Sequence, residues 1–246
     1  MEDLITKEEL ESCLYDLKNN PEKINRNGNN FFSPVSKEVA KEIIDIRDKK
    51  RKEEIEKSKG LSRPYEVEKG VQVLKYIINK HPNPDIYNVL KMLYFADKIH
   101  LLEYGKLIIP DKYIKLEYGP VPSLCYDIIR FVRSTHYYYS PFDNKIKGEI
   151  QVFEDPNTGK RIRLRNLTEP DFGYLSNSNI KCLNEVIEKY GKYDFNQLKK
   201  ESHDDIYNSV IDMNEDITVF DMANFLDRSG KLTEHLRNSY PYKEYK

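Results

Sequence analysis

Residues 86–132 read IYNVLKMLYFADKIHLLEYGKLIIPDKYIKLEYGPVPSLCYDIIRFV, and their pattern decides the fold. Ile86, Val89, Leu90, Leu93, Ala96 and Ile99 form one helical stripe, and Met92, Phe95 and Leu102 widen it. A helix that is apolar most of the way round belongs at the centre of a fold. Asp85 is placed to cap it, and Gly105 supplies the permissive backbone needed to leave it. A strand pair is expected next: Lys106 to Ile109, a turn at Pro110-Asp111, then Tyr113 to Tyr118. In the second strand Ile114, Leu116 and Tyr118 share one face, and Tyr113, Lys115 and Glu117 the other, a period of two. Gly119-Pro120-Val121-Pro122 reads as a rigid corner. A helix restarts at about Pro122 with Leu124, Ile128 and Phe131 at helical spacing.

The order helix, hairpin, corner, helix resembles the core motif of the Panacea-domain family of SocA-like antitoxins. The likeness is carried by Tyr94, Phe95, Ala96, Asp97 and His100, joined to Tyr118, Gly119, Pro120, Val121 and Pro122. Ser202-His203-Asp204 matches a third family motif, and residues 175–190 also fit. The likeness runs over about residues 66–230. It implies a non-enzymatic antitoxin that neutralises a cognate toxin by direct binding, with proteolytic delivery of the toxin as a further role.

The flanks are read from the residues themselves. A short helix is expected over about Lys7 to Lys18, then an Asn-rich connector from Asn19 to Asn30. Ser36 can cap a second helix with Val39, Ile43 and Ile46 on its apolar side. Residues 47–59 are almost all charged, a solvated helix with opposite-sign pairs one turn apart in preference to a basic contact through Lys49 to Lys52. Gly60 to Pro64 marks a boundary. The expected organisation is a charged helical extension over 1–60, the antitoxin-like domain over 61–235 and a polar tail over 236–246.

The domain should open with a helix from about Tyr65 to Asn79 carrying Val67, Val71, Leu74 and Ile78. After the central unit, Ser134 to Asn144 is an aromatic loop. Tyr137, Tyr138 and Tyr139 cannot all point into one core, so they form the candidate partner surface. Glu149 to Arg165 reads as a hairpin. Helices capped by Ser176, Asp194 and Thr218 follow, the last two with capping-box partners Gln197 and Asp221. The fold class is mainly α (α+β): a helical domain with one or two small antiparallel hairpins and a helical N-terminal extension.

Composition narrows the function. Net charge is −1, which gives no bulk drive toward nucleic acid or acidic membranes. No run is long and apolar enough to span a bilayer. The N-terminus lacks a signal-peptide pattern, and Cys13, Cys125 and Cys182 read as reduced thiols, so a cytoplasmic protein is expected. No cofactor motif is present. Asp97 and His100 lie three apart, as metal ligands can, but no second set accompanies them, so a mutual hydrogen bond is expected instead. Ser202, His203 and Asp204 contain the letters of a triad, yet adjacent residues point apart. Arg130 and His136 are the one arrangement that could be catalytic, resembling the motif of HEPN-type ribonucleases, which work without metal. That ribonuclease, and a phage-associated interaction protein without a toxin, are the alternatives to the antitoxin. Oligomeric state is not readable.

Overall fold

The computed structural model describes residues 64–133, 142, 144–155 and 162–239. The chain divides into two units, Met1–Ser62 and Arg63–Lys246, and every described residue falls in the second. The expected N-terminal helices and connector, residues 240–246 of the expected tail and the tyrosine run lie outside the described residues; residues 236–238 of that tail are helical, with Leu236 buried.

Helix α1 is Pro64–Lys80 and α2 is Ile86–Tyr104. Strands β1, Tyr113–Leu116, and β2, Gly119–Pro122, form a hairpin, and α3 is Ser123–Arg133. A second hairpin pairs β3, Ile150–Glu154, with β4, Ile162–Asn166. Then come α4, Asn177–Tyr190; α5, Phe195–Ser202; α6, Asp205–Ser209; β5, Asp216–Ile217; α7, Val219–Leu226; and α8, Lys231–Asn238. The class is mainly α with small antiparallel sheets.

The hub is α2. It packs on α1, α4, α5 and α7 and on β2, and twelve of its residues are buried, Lys91, Asp97 and His100 among them. A helix covered on all sides needs this many apolar positions, because each neighbour must remove water from its own face. Its ends are fixed as the sequence predicts. Asp85 accepts the Asn88 amide at 2.7 Å, and Gly105, at φ +67°, donates its amide to Leu101. The α1 stripe is wider than expected: Val71, Leu74 and Ile78 are buried, and Val73, Tyr76 and Ile77 join them. Lys75 on the same helix is buried too, its ammonium 2.8 Å from Glu149 and 2.7 Å from Thr168.

The first hairpin corrects two expectations. Lys106 to Ile109 is not a strand. Its apolar residues Leu107, Ile108 and Ile109 are buried, but the segment serves Asp97, which takes the Ile108 amide at 2.6 Å. The strand that pairs with β1 is the supposed rigid corner itself, with Leu116 opposite Gly119 and Tyr113 opposite Pro122. Prolines are tolerated there because β2 is an edge strand in the order β2-β1-β5. Pro120 brings no N–H to that edge, and its carbonyl accepts Lys91 Nζ at 2.7 Å. The edge is therefore closed to further strand pairing. In β1 it is Tyr113 and Lys115 that are buried, while Ile114 and Leu116 are half-buried. Hydrogen bonds override hydropathy here: Tyr113 Oη reaches Asp97 at 2.5 Å, and Lys115 Nζ donates to the Val210 carbonyl at 2.5 Å.

Among the described residues no helix is long and apolar enough to cross a membrane. Cys125 and Cys182 are buried free thiols.

Candidate functional site

Tyr87, Lys91, Tyr94 and Lys98 recur at spacings of four, three and four, so they lie along one face of α2. That face meets β2 and the junction between α5 and α6. Asp204 sits at this junction as the N-cap of α6, accepting the Tyr207 amide at 3.0 Å. Its carboxylate also receives Tyr94 Oη at 2.9 and 3.0 Å and Lys98 Nζ at 2.5 Å. One side chain thus starts a short helix and fastens it to the hub. Burial, and next the Asp204 charge, push the Tyr94 hydroxyl well above its ordinary pKa.

Gly119 lies against the same junction. Its φ of +99° is a backbone that glycine adopts without strain. A Cβ there would stand 2.6 Å from Ser202 Oγ and 2.8 Å from Lys91 Nζ, so the close approach of β2 also requires its absence. Around this point polar groups are under-satisfied. Lys91 is 1% exposed, donates to Pro120 and stands 5.1 Å from the centre of the Tyr87 ring. Burial lowers its pKa to about 7, against the pull of Asp204. The Tyr87 hydroxyl is buried beside Ser202 yet closes no hydrogen bond of ordinary geometry, and burial pushes its pKa to about 12. His203 stacks on Tyr207 at 4.2 Å, and its Nε2 is buried without a partner. Burial first, then the charges of Lys199, Lys91 and Lys115, hold its pKa below the usual histidine value.

Beside this cluster a groove of about 890 Å³ opens between the start of α2, the first hairpin and the start of α5. Tyr87, Leu90, Lys91, Tyr118, Val121 and Phe195 line it. The Phe195 ring lies 4.7 Å from Tyr87 and 5.4 Å from Tyr118, so the three aromatics form a continuous wall.

Asp97 and His100 do not bond each other as the sequence suggests. Asp97 is spent on the Ile108 amide and Tyr113. His100 Nδ1 is 2.7 Å from the Lys106 carbonyl, which can only accept, so that nitrogen carries the proton. Nε2 then accepts from Ser178 and Asn179, each at 3.0 Å. The two residues are neighbours on α2, but each is satisfied by its own partners and so fastens a different segment to the helix. Phe95 and Ala96 are buried, with Phe95 4.5 Å from Tyr190. Val121 and Pro122 are positioned by β2.

Ser202, His203 and Asp204 share a helix end but not a triad: Ser202 Oγ donates to the Lys199 carbonyl at 3.2 Å, and none of the three bonds another. Arg130 is exposed on α3, 3.6 Å from Asp127 and 5.8 Å from the Tyr126 ring. His136, like Tyr137, Tyr138 and Tyr139, lies outside the described residues. Among the described residues no three His, Cys, Asp or Glu side chains are grouped to hold a metal. Sequence reasoning missed Tyr87, Lys91, Lys98 and Phe195. The available signal was two lysines a helical repeat apart on a helix otherwise apolar all round, which cannot send them to open solvent.

The architecture is thus a helix-centred α+β domain in which two motif segments from distant parts of the chain close on the hub. Residues 89–208 match the family model of the SocA-like antitoxin, Panacea domain. The match spans every motif residue from Tyr94 to Asp204. Neither the curated proteins nor the solved structures hold a match to the chain.

Proposed function

We propose that this protein is the antitoxin of a toxin–antitoxin pair and neutralises its cognate toxin by direct protein–protein contact. The family match over residues 89–208 carries the reading. The chemistry of the motif supports it: Tyr94, Asp97, His100 and Asp204 spend their hydrogen bonds on holding segments together. Delivery of the captured toxin to a protease is an extension of the same contact. The sequence offers Tyr137, Tyr138 and Tyr139 as the contact surface, since exposed tyrosines lose water favourably at low entropic cost.

Co-expression with the product of the adjacent reading frame tests this. The protein alone should leave growth unchanged, and it should restore growth slowed by its neighbour and co-purify with it. Growth slowed by the protein alone, and relieved by His136→Ala, would replace the antitoxin with the Arg130/His136 ribonuclease. Changing all three tyrosines to Ser should keep the helical circular dichroism signal and abolish rescue. A folded triple variant that still neutralises would remove the tyrosines from the interface. A shorter toxin lifetime in the presence of the protein would establish the protease step.

A further inference from the structure

We infer that the groove between α2, β2 and α5 receives a segment of the partner protein that pairs a carboxylate with an aromatic or large aliphatic side chain, the carboxylate meeting Lys91. This rests on the antitoxin reading and specifies how the partner is held.

Three features favour such an occupant. The first is the wall. Tyr118 is 49% exposed and Phe195 37%, and with Tyr87 they present an aromatic surface open to solvent. Aromatic residues are enriched at protein interfaces, and tyrosine is enriched among the few residues that dominate binding energy. The second is the closed edge of β2. With prolines at 120 and 122 and the Pro120 carbonyl taken by Lys91, a partner cannot add a strand here, so recognition falls to side chains.

The third is charge. The carboxylates at the rim, Asp85 and Asp194, cap helices by accepting the amides of Asn88 and Gln197, and the positive helix N-termini offset part of their charge. Asp204 is engaged by Tyr94, Lys98 and the Tyr207 amide. Lys91 has one carbonyl as its hydrogen-bond acceptor, and the Tyr87 hydroxyl beside it has Ser202 as its neighbour but closes no hydrogen bond of ordinary geometry. Lys115 and Lys199 add to the positive field around His203. A buried lysine amine and a buried hydroxyl at the foot of an apolar wall are complementary to an anionic group carried on an apolar side chain, whose charge favours the ammonium form of Lys91.

A randomised short-peptide library selected on the purified full chain tests the inference without a toxin. Enriched peptides should place Asp or Glu beside an aromatic or large aliphatic residue. The best of them, synthesised, should lose affinity on the order of thirtyfold when its carboxylate is replaced by the amide. Phe195→Ala, which trims an exposed ring at the first position of α5, should weaken the same peptide about tenfold. Lys91→Met, checked for folding by circular dichroism, should abolish the preference for the carboxylate over the amide. No enrichment, a consensus without carboxylates, an amide peptide that binds equally well, or binding unmoved by Phe195→Ala would each overturn the inference. Loss of toxin rescue in cells bears instead on the antitoxin reading, and the peptide result stands apart from it.

Discussion

Asp97 is a carboxyl group with no route to water, and burial raises its pKa from 3.8 to about 7, against the pull of the Tyr113 and Ile108 hydrogen bonds. Between those values the folded protein keeps a proton that the unfolded chain has released, so this residue makes stability fall as pH rises through that window. Asp97→Asn keeps an acceptor for the Ile108 amide and cannot ionise. It should lie within about 1 kcal/mol of wild type near pH 5 and remove this part of the pH slope, seen by urea unfolding at pH 5 and 8. Asp97→Ala leaves the amide and the Tyr113 hydroxyl unpaired, and should cost about 2–6 kcal/mol. Equal pH slopes in wild type and the Asn variant would contradict the assignment. Gly119→Val combines backbone strain with a clash on Ser202 and Lys91, and should cost about 2–6 kcal/mol in a thermal or urea melt. A melt matching wild type would show that β2 can retreat from α5. A constrained backbone at 119 was legible in the Gly-Pro-Val-Pro run, which reads as a rigid corner. The close approach that requires glycine there was not, because Ser202 and Lys91 are neighbours only in three dimensions.

At the scale of elements, the sequence was most readable where a helix begins with a side-chain cap. Asp85, Ser176, Asp194 and Thr218 all accept the amides that their spacing predicts. Such signals are local, and nothing distant can rearrange them. Strand pairing was less readable. Lys106 to Ile109 and Gly119 to Pro122 are both short and mostly apolar, and only the tertiary position of Asp97 and Lys91 decides which lies beside β1. The elements missed were those too short or too plainly capped for a pattern: two-residue β5, five-residue α6, and α8, whose Gly230 N-cap makes no side-chain bond. The α6 start is also where the hub is fastened, so its cap can be dissected. Asp204→Asn retains an acceptor for the Tyr207 amide while losing the charge that holds Lys98. Asp204→Ala loses both. Denaturation should place Ala about 2–4 kcal/mol below wild type and Asn between the two. An Asn variant as unstable as Ala would mean that the ion pair to Lys98 outweighs the cap, contrary to the modest worth of a partly exposed pair.

For the whole molecule, the decisive contacts join residues far apart in sequence: Tyr94 reaches Asp204 across 110 positions. A pattern reading finds each motif and its helix but not their convergence, which is why Asp204 was visible as a helix end and Lys91 was not visible at all. These long-range contacts also bear on how much of the chain is needed to fold. From Pro64 onward α1 packs on α3 and α4, all three pack on the hub, and their buried residues form one hydrophobic cluster with α5, α7 and β5. Burial of this kind scales with the area removed from water, and the segment is long enough to supply it alone. A protein spanning Leu61 to Lys246 should therefore be soluble and melt in a single cooperative transition, with a midpoint close to that of the full chain. The Asn-rich connector and the charged run from residue 47 point the same way, since neither offers apolar surface for a shared core. If the shortened protein is insoluble, or melts broadly while exposing hydrophobic surface to a dye, residues 1–60 complete the core and the domain begins before Gly60.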